Sequence, residues 1–292
     1  MKYRFLRFPE GKFKAVTFSY DDGVKCDIKL AEIFNKYGMK GTFNLNSSHF
    51  IKSDNPNRLT VDEVKEYLLG AGHEIAIHGE HHIAPGCSRP IDAIRDVLNC
   101  REQLEEIFGM IIRGMAYPDS GIRRLHNGND YGKVKEILED IGVLYSRTLG
   151  GDSGNLLLPT DWHAWMPNVH HNNPETFNYI DAFLGVKEEN CRTANRHPRI
   201  FYVWGHSYEF RNDDNWDRIE KICESLAGKE DVWYATNIQI CEYVKAYESL
   251  VWSAKGTRVY NPTQTKIWFD IDARQYSVEP GETLFIDDPF PT

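Results

Sequence analysis

Residues 14–46 read KAVTFSYDDGVKCDIKLAEIFNKYGMKGTFNLN, and they decide the fold. Lys14 to Tyr20 alternates small or polar residues with large apolar ones, the two-residue period of a strand. Asp27 to Tyr37 carries a helical stripe through Ile28, Leu30, Ala31 and Phe34, and Gly38 stops it. Lys40 to Asn46 reads as a second strand. A helix joining two strands in so short a span is the connection that parallel strands require.

Working outward, the unit repeats. Thr60-x-x-Glu63 is a capping box that opens a helix over Val61 to Leu69, closed by Gly70 and Gly72. Glu74 to Ile77 is a third strand, and Pro90 to Phe108 a long helix with Gly109 at its end. Ile111 to Tyr117 and Val143 to Thr148 read as strands around a helix at Tyr131 to Ile141. An irregular stretch rich in Trp, His, Pro and Asn runs from Gly150 to Asn173, and Pro174 opens a helix to Leu184. Strands at Ile200 to Trp204 and Val232 to Ala235 alternate with helices at Trp216 to Leu226 and Ile238 to Leu250. Seven strand–helix units in series predict an α/β parallel sheet, either open or closed into a barrel. From Val251 short alternating runs such as Thr265 to Ile271 and Thr283 to Ile286 are split by Asn261-Pro262 and Pro280-Gly281. The chain therefore divides into residues 1–250 and a small C-terminal β appendage at 251–292.

The 292 residues carry a formal net charge of -9 with dispersed acids, which excludes the basic stripe of a nucleic-acid or anionic-membrane partner. No apolar run reaches the length of a membrane span, and charges interrupt the first ten residues too often for a signal peptide. The six cysteines lack C-x-x-C spacing and read as free thiols, so the expected compartment is the cytoplasm.

Catalysts in parallel βα folds sit at the C-terminal ends of strands. Asp21-Asp22 follow the first strand, His78 ends the third, Tyr117 ends the fourth and His206 follows the sixth. His78 and His82 stand at i and i+4, a spacing that places both on one side of a helical turn and lets them share a metal. A carboxylate from Asp21-Asp22 completes a two-histidine, one-carboxylate set with a position left for water. The other carboxylate then faces that water as a general base, and His206 is placed to protonate a leaving group. His49, His73, His163, His170 and His171 read as surface or structural residues.

Ser19-Tyr20-Asp21-Asp22-Gly23 resembles the T-F-D-D-G motif of the polysaccharide deacetylases, the NodB-like carbohydrate esterases. Gly72 to His82 (GHEIAIHGEHH) resembles the family's second motif, G-H-E-I-x-x-H-[ST]-x-x-H, and Val203-Trp204-Gly205-His206 its late L-x-x-H motif. The resemblance covers residues 10 to 250. It implies a distorted (β/α)7 barrel, with Asp21 as base, Asp22, His78 and His82 as metal ligands, and His206 as acid. It also implies one divalent ion, zinc foremost with cobalt, nickel or manganese as alternatives. The reaction implied is metal-dependent removal of an N- or O-linked acetyl group from a small carbohydrate. A metal-dependent deformylase or amidohydrolase acting on a non-sugar C–N bond is the second expectation, and a catalytically silent carbohydrate-binding barrel the third.

The third motif departs from the family. R-P-P-Y becomes Met115-Ala116-Tyr117-Pro118-Asp119, then Ser120, so Ala116 stands where the base-tuning arginine would be. This resembles a branch that reads A-Y-P-Y-G. Arg147, at a strand end, is the expected replacement, ahead of Arg113. The fourth motif, D-x-x-D-W, which orients the acid histidine, is echoed by Asp161-Trp162. Tyr117, Trp162 and Trp165 are the expected substrate contacts, because aromatic faces suit the C–H surfaces of sugars.

Overall fold

In the computed structural model, residues 3–52, 55–119, 121–149, 152 and 154–286 are described. Ser120, positions 150, 151 and 153 of the long irregular stretch, and residues 287–292 of the appendage lie outside them. The chain opens with β1 (Arg4–Arg7), β2 (Lys14–Asp21), α1 (Cys26–Tyr37) and β3 (Gly41–Leu45). A short α2 (Ser48–Lys52) and α3 (Val61–Glu63) follow, and α3 continues as a π-helical stretch over Val64–Leu69. Next come β4 (Glu74–Ile77), α4 (Pro90–Phe108), β5 (Gly114–Ala116), α5 (Tyr131–Asp140) and β6 (Tyr145–Arg147). After the long loop stand β7 (Val169–His170), α6 (Thr176–Gly185), β8 (Arg199–Gly205), α7 (Ser207–Asn212), α8 (Trp216–Leu226), β9 (Val232–Tyr234) and α9 (Asn237–Glu248). The last part carries β10 (Val251–Trp252), β11 (Arg258–Tyr260), β12 (Ile267–Ile271), β13 (Arg274–Val278) and β14 (Thr283–Phe285).

The main sheet is parallel and runs β6-β5-β4-β3-β2-β8-β7. Every residue of β2 is buried, as a central strand covered on both sides requires. The sheet curls into a distorted seven-stranded barrel. Its two end strands meet through Trp165, which bridges Arg147, while Val169 and His170 of the same segment pair with Val203 and Trp204. The distortion has a local cause in β2. Its C-terminal half pairs with β3, whereas Lys14 to Val16 pair with β9, and β8 occupies the opposite edge along Lys14 to Tyr20.

Two short strands escaped the periodicity. β7 has two residues, too few to show a period, and β1 finds its partner far along the chain in β12 (Arg4 opposite Ile271). Residues 251–286 supply β10 to β14 to two small antiparallel sheets, β1-β12-β13 and β10-β11-β14, the first of which also takes in the N-terminal β1. One apolar core fills the space between the sheet and the helices α1, α4 and α8, through residues such as Phe18, Phe34, Val97 and Ile222. A second joins α9 to β12 through Ile240, Val244, Ile267 and Phe269. The capping box at Thr60 is present, with Glu63 N donating to Thr60 Oγ1 at 3.3 Å and Thr60 N to Glu63 Oε2 at 2.7 Å. Among the described residues no disulfide forms, and no helix is long and apolar enough to cross a membrane.

Candidate active site

The rim is built at the end of β2. Asp21 is still strand, opposite Asn44 of β3, and the Asn44 amide donates to Asp21 Oδ1 at 2.8 Å. Asp22 then takes φ +84° and Gly23 φ +61°, so the chain turns over in the left-handed region. For a non-glycine residue this costs about 1–3 kcal/mol, strain that the neighbours must hold. Asp22 N donates to Asn44 O at 3.0 Å, and the Arg58 guanidinium donates to Asp22 O. Two adjacent carboxylates are thereby aimed differently, Asp21 into the barrel and Asp22 onto the rim.

His78 leaves β4 at the same level. Its Nδ1 lies 2.9 Å from Ala116 O, an acceptor that fixes the ring proton on Nδ1. Nε2 therefore carries a free lone pair; it is buried without a hydrogen-bond partner, 3.9 Å from Asp22 Oδ1. His82 Nε2 stands 3.8 Å from the same oxygen. The two histidines share no helical turn, contrary to the spacing's prediction. They are joined by a loop with Gly79 at φ +77° and His82 at φ +59°, pinned where Asp96 Oδ1 accepts from His81 N at 2.8 Å. A Cβ at Gly79 would meet Asp96 Oδ2 at 2.3 Å, so the close approach needs glycine.

The three atoms lie within 4.8 Å of one another. Ligands about 2.1 Å from a tetrahedral zinc stand about 3.4 Å apart, so a small inward movement fits this set to the ion. A second group, His170, His171 and Glu209, is as compact but fails the chemical test. His170 Nδ1 accepts from Asn172 N at 3.2 Å, which leaves the ring proton on Nε2, facing Glu209 Oε2 at 3.1 Å. A donor N–H there is not a ligand.

Asp21 is buried and lies 2.5 Å from Arg147 Nη2. Arg147, fully buried on β6, has its guanidinium carbon 4.8 Å from the centre of the Trp204 ring. It pairs in register with Ala116, so the cation comes from the strand beside the one whose motif lacks it. Arg113 instead meets Glu242 on the exterior. Burial pushes the Asp21 carboxyl up, but Arg147, His78, His206 and the Asn44 amide outweigh it and hold it below the ordinary aspartate value. His206 Nε2 is 3.9 Å from Asp21 Oδ2.

Glu209, three residues beyond His206 on α7, was not singled out from the sequence. Its Oε1 lies 3.4 Å from His206 Nδ1, and its Oε2 is 3.1 Å from Nε2 of both His170 and His171. Burial opposes its charge, yet the three imidazoles hold it far below the usual carboxylate range. An E at the third position of α7 was the available signal, but histidine is an unusual partner in a capping box. Asp161, expected to orient the acid, is occupied elsewhere. It accepts from Tyr131 Oη at 2.7 Å, Lys135 Nζ at 3.2 Å and His163 N at 3.0 Å.

The aromatic residues expected at the substrate are in the core. Tyr117, Trp162 and Trp165 are 1%, 9% and 1% exposed. Tyr117 Oη donates to His163 O at 2.9 Å, and Trp165 packs against Tyr145, Trp162 and Tyr202. The open side of the centre is a polar cleft of about 440 Å³ lined by Asp22, Asn46, Ser48, His49, Arg58, His81 and His82.

Residues 8–130 match the family model described as polysaccharide deacetylase. No curated protein sequence matches the chain significantly. Among solved structures the chain is similar to a Mycobacterium smegmatis protein described as a polysaccharide deacetylase. The two share 20% identity with a TM-score of 0.55, over 83% of this chain and 94% of that one. It is also similar to Puue allantoinase at 11% identity and a TM-score of 0.55, over 80% of this chain and 91% of the other. At those identities the likeness speaks for the barrel alone. The chain thus shares the barrel of these structures, and its residues 8–130 resemble the polysaccharide deacetylase family.

Proposed function

We propose that the protein is a metal-dependent hydrolase that removes acetyl groups, N- or O-linked, from a small sugar or oligosaccharide. The family model that residues 8–130 match is one of deacetylases, which supports the reaction class. The observation that carries the metal is the buried, unpartnered Nε2 of His78 beside Asp22 Oδ1. Asp22, His78 and His82 would hold the ion, zinc by preference, since imidazole and carboxylate donors suit it. Such an ion supplies Lewis acidity at the acetyl carbonyl and acidifies water near neutral pH.

The chain's own residues divide the proton work. Asp21 is the base: Arg147 and Asn44 keep it ionised and fix the carboxylate. His206 is the acid; its Nε2 lies 3.9 Å from Asp21 Oδ2, the oxygen that His78 Nε2 approaches to 4.0 Å. Burial works against its charge, but Glu209 and the two aspartates outweigh it, so its pKa rises and the proton is retained toward neutral pH. Glu209 is a positioning residue that sets the imidazole's direction through Nδ1.

Acetate release from a panel of acetylated mono- and oligosaccharides, with the zinc-loaded protein, tests the reading. Acetate that appears with zinc and disappears in Asp21→Asn is the expected result. Release of formate or ammonia from non-sugar amides, with no acetate, would move the reaction to another C–N bond. Sugar binding without hydrolysis of any substrate would make the barrel a binding protein.

A further inference from the structure

The cleft beside Asp22 has a feature that acetyl chemistry alone does not require. Of the described residues that line it, Arg58 is the only one with a permanent positive charge. It is half-buried, and among the described residues one contact occupies it, the hydrogen bond to Asp22 O. Four of its five N–H donors find no partner among the described residues. No carboxylate among the described residues forms an ion pair with it, and Glu63 on the adjacent α3 is taken by Lys25. Beyond His82 a second recess of about 660 Å³ is lined by Asp119, Arg123, Arg124 and Leu149. Basic side chains thus stand on both sides of the centre in a chain whose net charge is -9.

We infer that this cleft takes an anionic group of the substrate, a carboxylate or a phosphate carried by the acetylated saccharide, with Arg58 as the residue that selects it. The inference rests on the deacetylase reading for the acetyl group and on Arg58 for the charge. A guanidinium offers two parallel donors that match either anion. A neutral sugar leaves those donors unmatched. Charge-assisted hydrogen bonds of this kind correspond to about 10- to 100-fold in affinity.

The test is calorimetric binding to the zinc-loaded Asp21→Asn chain, in which turnover is blocked. The probes are N-acetylglucosamine, N-acetylglucosamine 6-phosphate and N-acetylmuramic acid. One of the two charged sugars should bind about 10- to 100-fold more tightly than the neutral one, and which one does so identifies the anion. Adding Arg58→Gln should erase that margin. Arg58→Lys keeps a donor for Asp22 O and should retain part of the margin, so the comparison stands even if Arg58→Gln disturbs the metal. Equal affinities for all three sugars, or a margin that survives Arg58→Gln, overturn the inference. Equal acetate release from neutral and charged sugars by the unsubstituted enzyme would also overturn it and leave the deacetylase intact. Binding that depends on Arg58 without any acetate release would sustain the anion site and remove the deacetylase reading.

Discussion

Arg147 Nη2 lies 2.5 Å from Asp21 Oδ2 inside the barrel, and neither side chain has an appreciable path to water. A buried charge pair is expensive to form and more expensive to break, because losing one member leaves the other charge uncompensated. Arg147→Met should therefore lower stability by about 3–5 kcal/mol at pH 7 in urea unfolding. The sign with pH follows from Asp21, whose folded pKa lies below its unfolded value. The stabilisation is present above the unfolded pKa and is lost as pH falls through the folded one, so the gap between parent and variant narrows in acid. In the variant, burial dominates and the acidic limb of kcat/KM moves to higher pH. A variant as stable as the parent, with an unmoved limb, would show that Arg147 does not tune the base.

Much of this centre was legible because it sits at strand ends that periodicity can find. β2, β3 and β4 announce themselves by alternation or apolar runs, and their ends deliver Asp21, Asp22 and His78. What stayed hidden depends on register and on local turns. Arg147 is legible as a strand-end cation, but its place directly opposite Ala116 is a fact of pairing between β5 and β6, which spacing along the chain does not encode. The loop from His78 to His82 bends at left-handed residues where an i, i+4 spacing suggested a helical turn. Trp162 and Trp165 illustrate a third limit. Aromatic residues in a long loop read equally as sugar platforms or as packing, and only their contacts decide. β1 could not be placed at all before β12 was known, since the pairing joins the two ends of the chain.

The two compact histidine clusters make opposite predictions about metal. The unsubstituted protein should purify with, or take up, about one divalent ion per chain. Asp22→Ala and His78→Ala should lose it, whereas His170→Ala should keep it, because the His170 proton faces Glu209. Elemental analysis reads the occupancy directly. At an ion concentration about a thousand times Kd, binding adds about 4 kcal/mol to stability, so a chelator should lower the Tm of the parent and leave that of His78→Ala unmoved. Loss of the ion from His170→Ala alone would transfer the metal to the wrong cluster for this mechanism.

Trp165 separates packing from substrate contact. It is 1% exposed and touches Tyr145, Trp162 and Tyr202, so Trp165→Ala should open a cavity and cost about 3–5 kcal/mol. Trp165→Phe keeps an aromatic ring in the cluster and should cost less, with KM unchanged. A raised KM at nearly full stability would place the indole against the sugar after all.

Glu209 offers the sharpest test of the acid. Its carboxylate serves two purposes at once: Oε2 is 3.3 Å from His206 N as a helix cap, and Oε1 is 3.4 Å from His206 Nδ1. Glu209→Gln keeps an acceptor for the cap and removes the charge, so the fold of α7 should persist while the electrostatics change. Glu209 is a principal cause of the raised pKa of His206, ahead of Asp21 and Asp22, and burial alone would lower it. In Glu209→Gln the His206 pKa should therefore fall, and the basic limb of the pH–rate profile should move to lower pH. Activity near neutrality should drop about 10- to 100-fold, the usual size for loss of an outer partner. A proton NMR titration of the His206 ring gives a readout that a purely structural cap would not move. If Gln at 209 leaves both the basic limb and the ring titration in place, the carboxylate only caps α7, and the imidazole must draw its direction from His170, His171 or the substrate.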